Sequence, residues 1–174
     1  GYILKKVYDL ASEAHPEEKL PLSVYFHVSR KAAAALKDDP DMGGYFLSYA
    51  ESLGLKAEKR YGFIDFYAAG SIQRMLSDIC PFRLEGLYFG VNEANPAGEV
   101  DIRSLLGSGP VSFAEEYIAF EKIFSSPEPS VAGYDSDGPV FAAENRTEGE
   151  LIRFGSDAES IISKAFEYIK NWNF

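Results

Sequence analysis

Asp65 is the one acid inside the apolar run Tyr61-Gly62-Phe63-Ile64-Asp65-Phe66-Tyr67, and four small residues follow, Ala68-Ala69-Gly70-Ser71. A carboxylate in such a run needs partners, because burying it alone is costly. Ile72-Gln73-Arg74-Met75-Leu76 then opens a helix. A strand, a small-residue turn and a helix in that order leave N–H groups and partial positive charge at the turn, where a phosphate can sit. Gly70 and Ser71 are therefore candidate anion donors. Gln73 stands in the first helical turn, and Asp65 is a ligand-positioning group or a weak candidate base. The competing reading makes Ser71 a helix cap and Asp65 a carboxylate that fixes the loop. Neither Gly-x-x-x-x-Gly-Lys nor Gly-x-Gly-x-x-Gly is present.

Ser29-Arg30 forms a second candidate, directly after the β-branched and aromatic stretch Leu22–Val28. A guanidinium at a strand end can reach into a crevice and grip a phosphate with two N–H groups. Arg74 offers the same group, with solvated surface as its commoner fate. Ser29 has no sequence-adjacent histidine to activate it, and His27 reads as a satisfied structural residue. The one cysteine, Cys80, excludes an internal disulfide and reads as a buried, inert thiol; with only His15 and His27 beside it, no zinc spacing exists. Asp135-Ser136-Asp137-Gly138 looks like part of a calcium loop but lacks the glutamate at loop position twelve, so it reads as a turn. No metal and no cofactor is expected.

These residues must be positioned by elements readable from pattern. Tyr2, Ile3, Val7, Leu10, Ala11 and Ala14 recur at helical spacing before Pro16. Leu22–Val28 predicts a strand, Lys31–Leu36 a helix broken by Asp38-Asp39-Pro40-Asp41, and Gly43–Leu53 a further helix stopped by Gly54. Tyr61–Tyr67 predicts a strand, Ile72–Ile79 a helix, and Leu84–Val91 a strand apolar enough for burial on both faces. Val100–Leu106 stays between strand and loop, after a polar turn over Asn92–Gly98. Phe113, Tyr117, Phe120 and Phe124 mark one face of a helix opening near Pro110. Val131–Tyr134 and Val140–Ala142 flank a hairpin turn. The last helix opens on a capping box, Ser156 with Glu159. The expected fold is α/β: one domain over 1–174, a small parallel sheet flanked by helices in a Rossmann-like three-layer arrangement, with a C-terminal hairpin and helix. Ligands of such sheets collect at the carboxyl ends of strands. Ser29-Arg30 and Gly70-Ser71 would face one crevice if their strands are neighbours.

Composition narrows the partners. The chain has 174 residues, 46% of them hydrophobic and 14% aromatic, which supports a real core. Its formal net charge of −10 argues against nucleic acid and anionic membranes, but not against a small anion held by local donors. No apolar run approaches a membrane span and no signal peptide is visible, so a cytoplasmic location is expected. The amphipathic pattern starting at Gly1 predicts a piece of a longer protein.

Three pieces together resemble a group of bacterial proteins that pair a haloacid-dehalogenase-like or glycosyltransferase domain with an α/β module, in surface-polysaccharide synthesis. The first is Gly1-Tyr2-Ile3-Leu4-Lys5-Lys6-Val7-Tyr8 and the second Tyr25-Phe26-His27-Val28-Ser29-Arg30. The third joins Phe63-Ile64-Asp65-Phe66 and Gly70-Ser71-Ile72-Gln73 to Gly86-Leu87-Tyr88-Phe89-Gly90. The resemblance covers residues 1–91 best. It departs twice: the Arg-Asp pair that precedes the first glycine in the family is absent, and Tyr67 stands where those phosphatases place a second Asp. It therefore implies the accompanying module and not the phosphatase. Two functions follow as expectations. One is an accessory module that binds a phosphorylated small molecule, such as a sugar phosphate or nucleotide sugar, through Ser29, Arg30, Asp65, Gly70, Ser71 and Gln73. The other is a structural or interaction domain without a ligand, docked on a catalytic domain of the same longer chain.

Overall fold

The computed structural model describes residues 2–17, 21–91, 100–105, 128–143, 155–157, 159–165 and 167. These fall into two compact units. One contains helix α1 (Tyr2–Ala14), the stretch up to Phe26 and the helical residues 155–157, 159–165 and 167. α1 ends just ahead of Pro16, whose ring disfavours helical backbone in the preceding residue. Lys5 pairs with Asp9 one turn along it. Gly155 and Ser156 are already helical, so the last helix opens earlier than its capping-box signal.

The second unit begins at His27 and carries the sheet. Its elements are α2 (Arg30–Ala35), α3 (Pro40–Ser52), β1 (Arg60–Ala68), α4 (Ser71–Ser77), β2 (Arg83–Val91), β3 (Ile102–Ser104), β4 (Val131–Asp135) and β5 (Gly138–Phe141). Strands β1, β2 and β3 lie side by side in chain order, all parallel, with Ile64 opposite Leu87 and Leu87 opposite Arg103. α4 is the crossover from β1 to β2. Strands β4 and β5 form a separate antiparallel hairpin. The Asp135 carboxylate accepts from Asp137 N–H at 2.9 Å, and Gly138 takes φ 114, a conformation that favours glycine. The class is the α/β mixture expected, with a small parallel sheet, helices, and a C-terminal hairpin and helix.

Packing orders these elements. α4 lies on β2, α2 on α4, and the hairpin rests on α2 and α3. Ala32 and Ala33 are buried on α2, where small side chains let backbones approach closely. Phe46 of α3 is fully buried and meets Tyr134 of β4 edge-on, ring centroids 5.0 Å apart. α3 starts at Pro40, inside the segment read as a helix break. Asp39 caps it by accepting from Met42 N–H at 3.0 Å, and proline suits a first helical position.

Three expectations change. Leu22–Val28 is not a strand: residues 21–29 are neither helix nor sheet. Two tyrosines serve the His27 backbone instead. Tyr134 Oη donates to the His27 carbonyl at 2.7 Å, and Tyr49 Oη accepts from His27 N–H at 3.3 Å. The ambiguous Val100–Leu106 segment contains a true strand, β3. Strand β2 is buried on one face only, since Leu84, Gly86 and Tyr88 are covered while Leu87 and Phe89 are exposed. The Asn92–Gly98 turn and the Phe113–Phe124 stripe lie outside the described residues.

Candidate functional site

Gln73 organises the junction between α4 and the sheet. It sits in the first turn of α4 and is completely buried. Its amide nitrogen donates to the Leu84 carbonyl at 3.2 Å and to the Asp101 carbonyl at 3.0 Å. Its amide oxygen accepts from Tyr88 Oη at 2.9 Å. One side chain thus ties α4 to β2 and to the residue just before β3. Gly86 makes room for it: a Cβ there would lie 2.3 Å from Gln73 Oε1. Burial, and secondarily the Asp65 charge, push the Tyr88 hydroxyl well above its ordinary pKa, so it stays a proton donor. Asp65 stands in register with Tyr88 on this covered face and is half-buried.

The other candidate residues divide. Gly70 is the cap residue of α4, in left-handed conformation at φ 76, with no side chain accepting from the first turn. Ser71 is the first helical residue and not the cap. Ser29 caps α2: its Oγ accepts from Ala32 N–H at 3.0 Å and donates to the Val131 carbonyl at 2.6 Å. Arg30 opens α2 and is exposed. Packing sets α2 beside α4, and Lys37 bonds Asp78 at 2.7 Å where the two helices end. The expected crevice loses one wall, however, because no strand leads into Ser29. Among the six candidates, Asp65 and Gln73 meet around Tyr88. Ser29 and Gln73 spend their polar atoms on the fold.

At the amino ends of β2 and β3, Ser77, Cys80, Pro81, Phe82, Arg83, Leu84, Val100 and Asp101 line a shallow cavity of about 450 Å³. Burial pushes the Cys80 thiol up to about 12, so it is protonated and unreactive at neutral pH. His27 is held by its Nδ1 at 2.9 Å from Tyr49 Oη and by the Phe141 ring edge. Among the described residues, no group of three or more His, Cys, Asp or Glu could hold a metal ion, and no helix is long and apolar enough to cross a membrane.

Among the described residues, one exposed face of the sheet is the feature that sequence reading missed. Parallel pairing puts Arg60, Gly62 and Ile64 of β1 on one side with Arg83, Glu85, Leu87 and Phe89 of β2 and Arg103 of β3. Ile64 is 57% exposed, Leu87 44%, Phe89 40%, and Leu105, next on that alternation, 73%. The signal was present in β2: Arg83 and Glu85 share the alternation of Leu87 and Phe89, so that face could not be a dry core. Comparison with protein-family models, with curated proteins and with solved structures finds no match.

Proposed function

We propose that this chain is an interaction module that docks onto another protein surface through the exposed face of its parallel sheet. The observation that carries this reading is the row Ile64, Leu87, Phe89 and Leu105, large apolar side chains all more than one-third exposed on a single sheet face. Parallel strands are normally covered on both sides, and contiguous exposed apolar surface marks interaction sites. The resemblance to bacterial polysaccharide-related proteins supplies the setting: a cytoplasmic accessory module against a catalytic domain of a longer chain. A photo-crosslinking residue at position 87 or 64, introduced in the protein as its cell makes it, tests the reading. Sequenced crosslinks are expected from both sheet positions and none from position 45, on the exposed side of α3. A folded protein without crosslinks at 64 and 87 overturns it.

A second reading is favoured by Gly70, which leaves the first turn of α4 without a side-chain cap at the carboxyl end of β1. There a phosphate-bearing ligand, a sugar phosphate or nucleotide sugar, would take N–H groups from Gly70-Ser71, the Ser71 hydroxyl and a guanidinium from Arg30. Calorimetry with inorganic phosphate, glucose 1-phosphate and a nucleotide sugar tests it. Heat that vanishes in Arg30→Ala and Ser71→Ala supports the site, and absence of heat with all three ligands removes it.

A further inference from the structure

Resting on the docking reading, we infer that the partner element is a single amphipathic helix whose apolar stripe is flanked by carboxylates. Charge gives the first reason. The whole chain has a net charge of −10, yet the described residues of this face carry three arginines, Arg60, Arg83 and Arg103, against two acids, Glu85 and Asp101. Glu85 is shared, 3.3 Å from Arg60 and 4.0 Å from Arg83, while Arg83 also reaches Asp101 at 3.6 Å. The local balance is still positive. Arg103 has no ion pair among the described residues. Arginine beside exposed aromatic and aliphatic groups is the composition of protein interfaces, and an acidic rim on the partner meets it with charge-assisted hydrogen bonds.

Size gives the second reason. Three strands span two inter-strand spacings, about 10 Å, which is about the diameter of a helix. The nine residues of β2 extend roughly 30 Å, the length of about five helical turns. The resulting area, on the order of 300 Å² per partner, is well under the roughly 800 Å² per partner of a stable dimer. A second copy is disfavoured for another reason too. Two such faces meeting about a two-fold axis would oppose like-charged arginine sets. The occupant that fits both dimensions and sign is one helix laid along the strands, Leu87 at its centre and Arg103 beside it.

Two fluorescein-labelled 15-residue peptides test this. Both carry leucines at helical i, i+4, i+7 and i+11 spacing, one flanked by glutamates and the other by lysines. Anisotropy titrations of the full chain at low salt should show the glutamate peptide binding at least about tenfold tighter. Leu87→Asp should weaken it about tenfold or more, and Arg103→Glu should reverse the preference toward the lysine peptide. Circular dichroism melts confirm that both variants fold. Equal binding of the two peptides, no binding of either, or a dimer in sedimentation that Leu87→Asp dissolves would overturn the inference. Crosslinks from position 87 that land on a lysine-flanked or non-helical segment would sink the helix assignment while leaving docking itself intact.

Discussion

Adding one methyl group at Gly86 must displace Gln73. The new Cβ would sit 2.3 Å from Gln73 Oε1 and 3.1 Å from both Gln73 Cδ and Ile102 Cγ1. The amide has no slack, because its three hydrogen bonds run to Leu84, Asp101 and Tyr88. Moving it forfeits bonds worth about 0.5–1.5 kcal/mol each and leaves the Tyr88 hydroxyl buried without its acceptor. Overpacking adds about 1–3 kcal/mol, and the reduced backbone freedom of the unfolded chain returns about 0.4–1 kcal/mol. Gly86→Ala should therefore cost roughly 3–5 kcal/mol, a large share of the roughly 5–15 kcal/mol that holds a domain together. In urea, with a slope of about 2 kcal/mol per molar, the midpoint should fall by roughly 1.5–2.5 M.

The cycle with Gln73→Ala separates this mechanism from generic strand damage. Gln73→Ala alone should cost about 2–4 kcal/mol, from lost bonds and a cavity. In that background Gly86→Ala finds the space empty and should cost less than about 1 kcal/mol. The coupling between the two positions is then at least about 2 kcal/mol, far above the few tenths expected of independent sites. Chemical denaturation followed by circular dichroism measures all four corners. If Gly86→Ala shifts stability by less than about 0.5 kcal/mol, or the two costs simply add, the stitch between α4 and β2 is wrong.

Other expectations follow from the same contacts. Ser29→Ala removes the α2 cap and the bond to Val131 and should cost about 1–3 kcal/mol in urea denaturation; a loss under about 0.5 kcal/mol would refute the double bond. Cys80, held near 12, should react with a disulfide reagent at pH 8 on the order of a thousandfold more slowly folded than in denaturant, and comparable rates would contradict its burial. The Cys80, Tyr88 and Tyr134 acids are all raised in the fold, chiefly by burial. The unfolded chain therefore releases their protons first. Stability should be flat up to about pH 9, fall first through Cys80 and then, above pH 10, through the tyrosines, by up to about 1.4 kcal/mol per pH unit per group. Tyr88→Phe should flatten the upper part of that slope, and an unchanged slope would assign it elsewhere.

Pattern reading succeeded where one periodicity governs a whole element. β1, α4 and β2 lie within a residue or two of their expected bounds because apolar alternation and a glycine turn leave few alternatives. It failed where tertiary partners decide. Leu22–Val28 has strand composition, but its His27 backbone is claimed by Tyr49 and Tyr134, which lie 22 and 107 residues downstream. Gln73 follows a glycine-serine turn, a place where a ligand contact is expected. No local signal tells that its amide points inward to Tyr88 and two carbonyls. Ser71 has the residue type of a cap, yet Gly70 occupies that position in a conformation that Gly reaches without strain. The exposed sheet face was legible in part, through the charges that share the alternation of Leu87, and was overridden by the apolar average of the strand.

The residues behind the family resemblance now sort by physical role. Gln73, Gly86 and Tyr88 belong to its third piece and form one contact set under α4; Ser29 belongs to its second and ties α2 to β4. A motif built from such residues specifies how the sheet and helices join, whatever the chain does. Function then has to act through side chains that this joining leaves outside, and Leu87 is the sharpest case. It sits between Gly86 and Tyr88 in sequence but points to the other face, 44% exposed. Two substitutions one residue apart should therefore separate. Gly86→Ala should lower the urea midpoint and affect partner binding only through unfolding. Leu87→Asp should stay within about 1 kcal/mol of the parent in stability, the span of strand propensity, while weakening association about tenfold or more. Loss of stability in both, with binding lost in proportion, would mean that the face is structural after all.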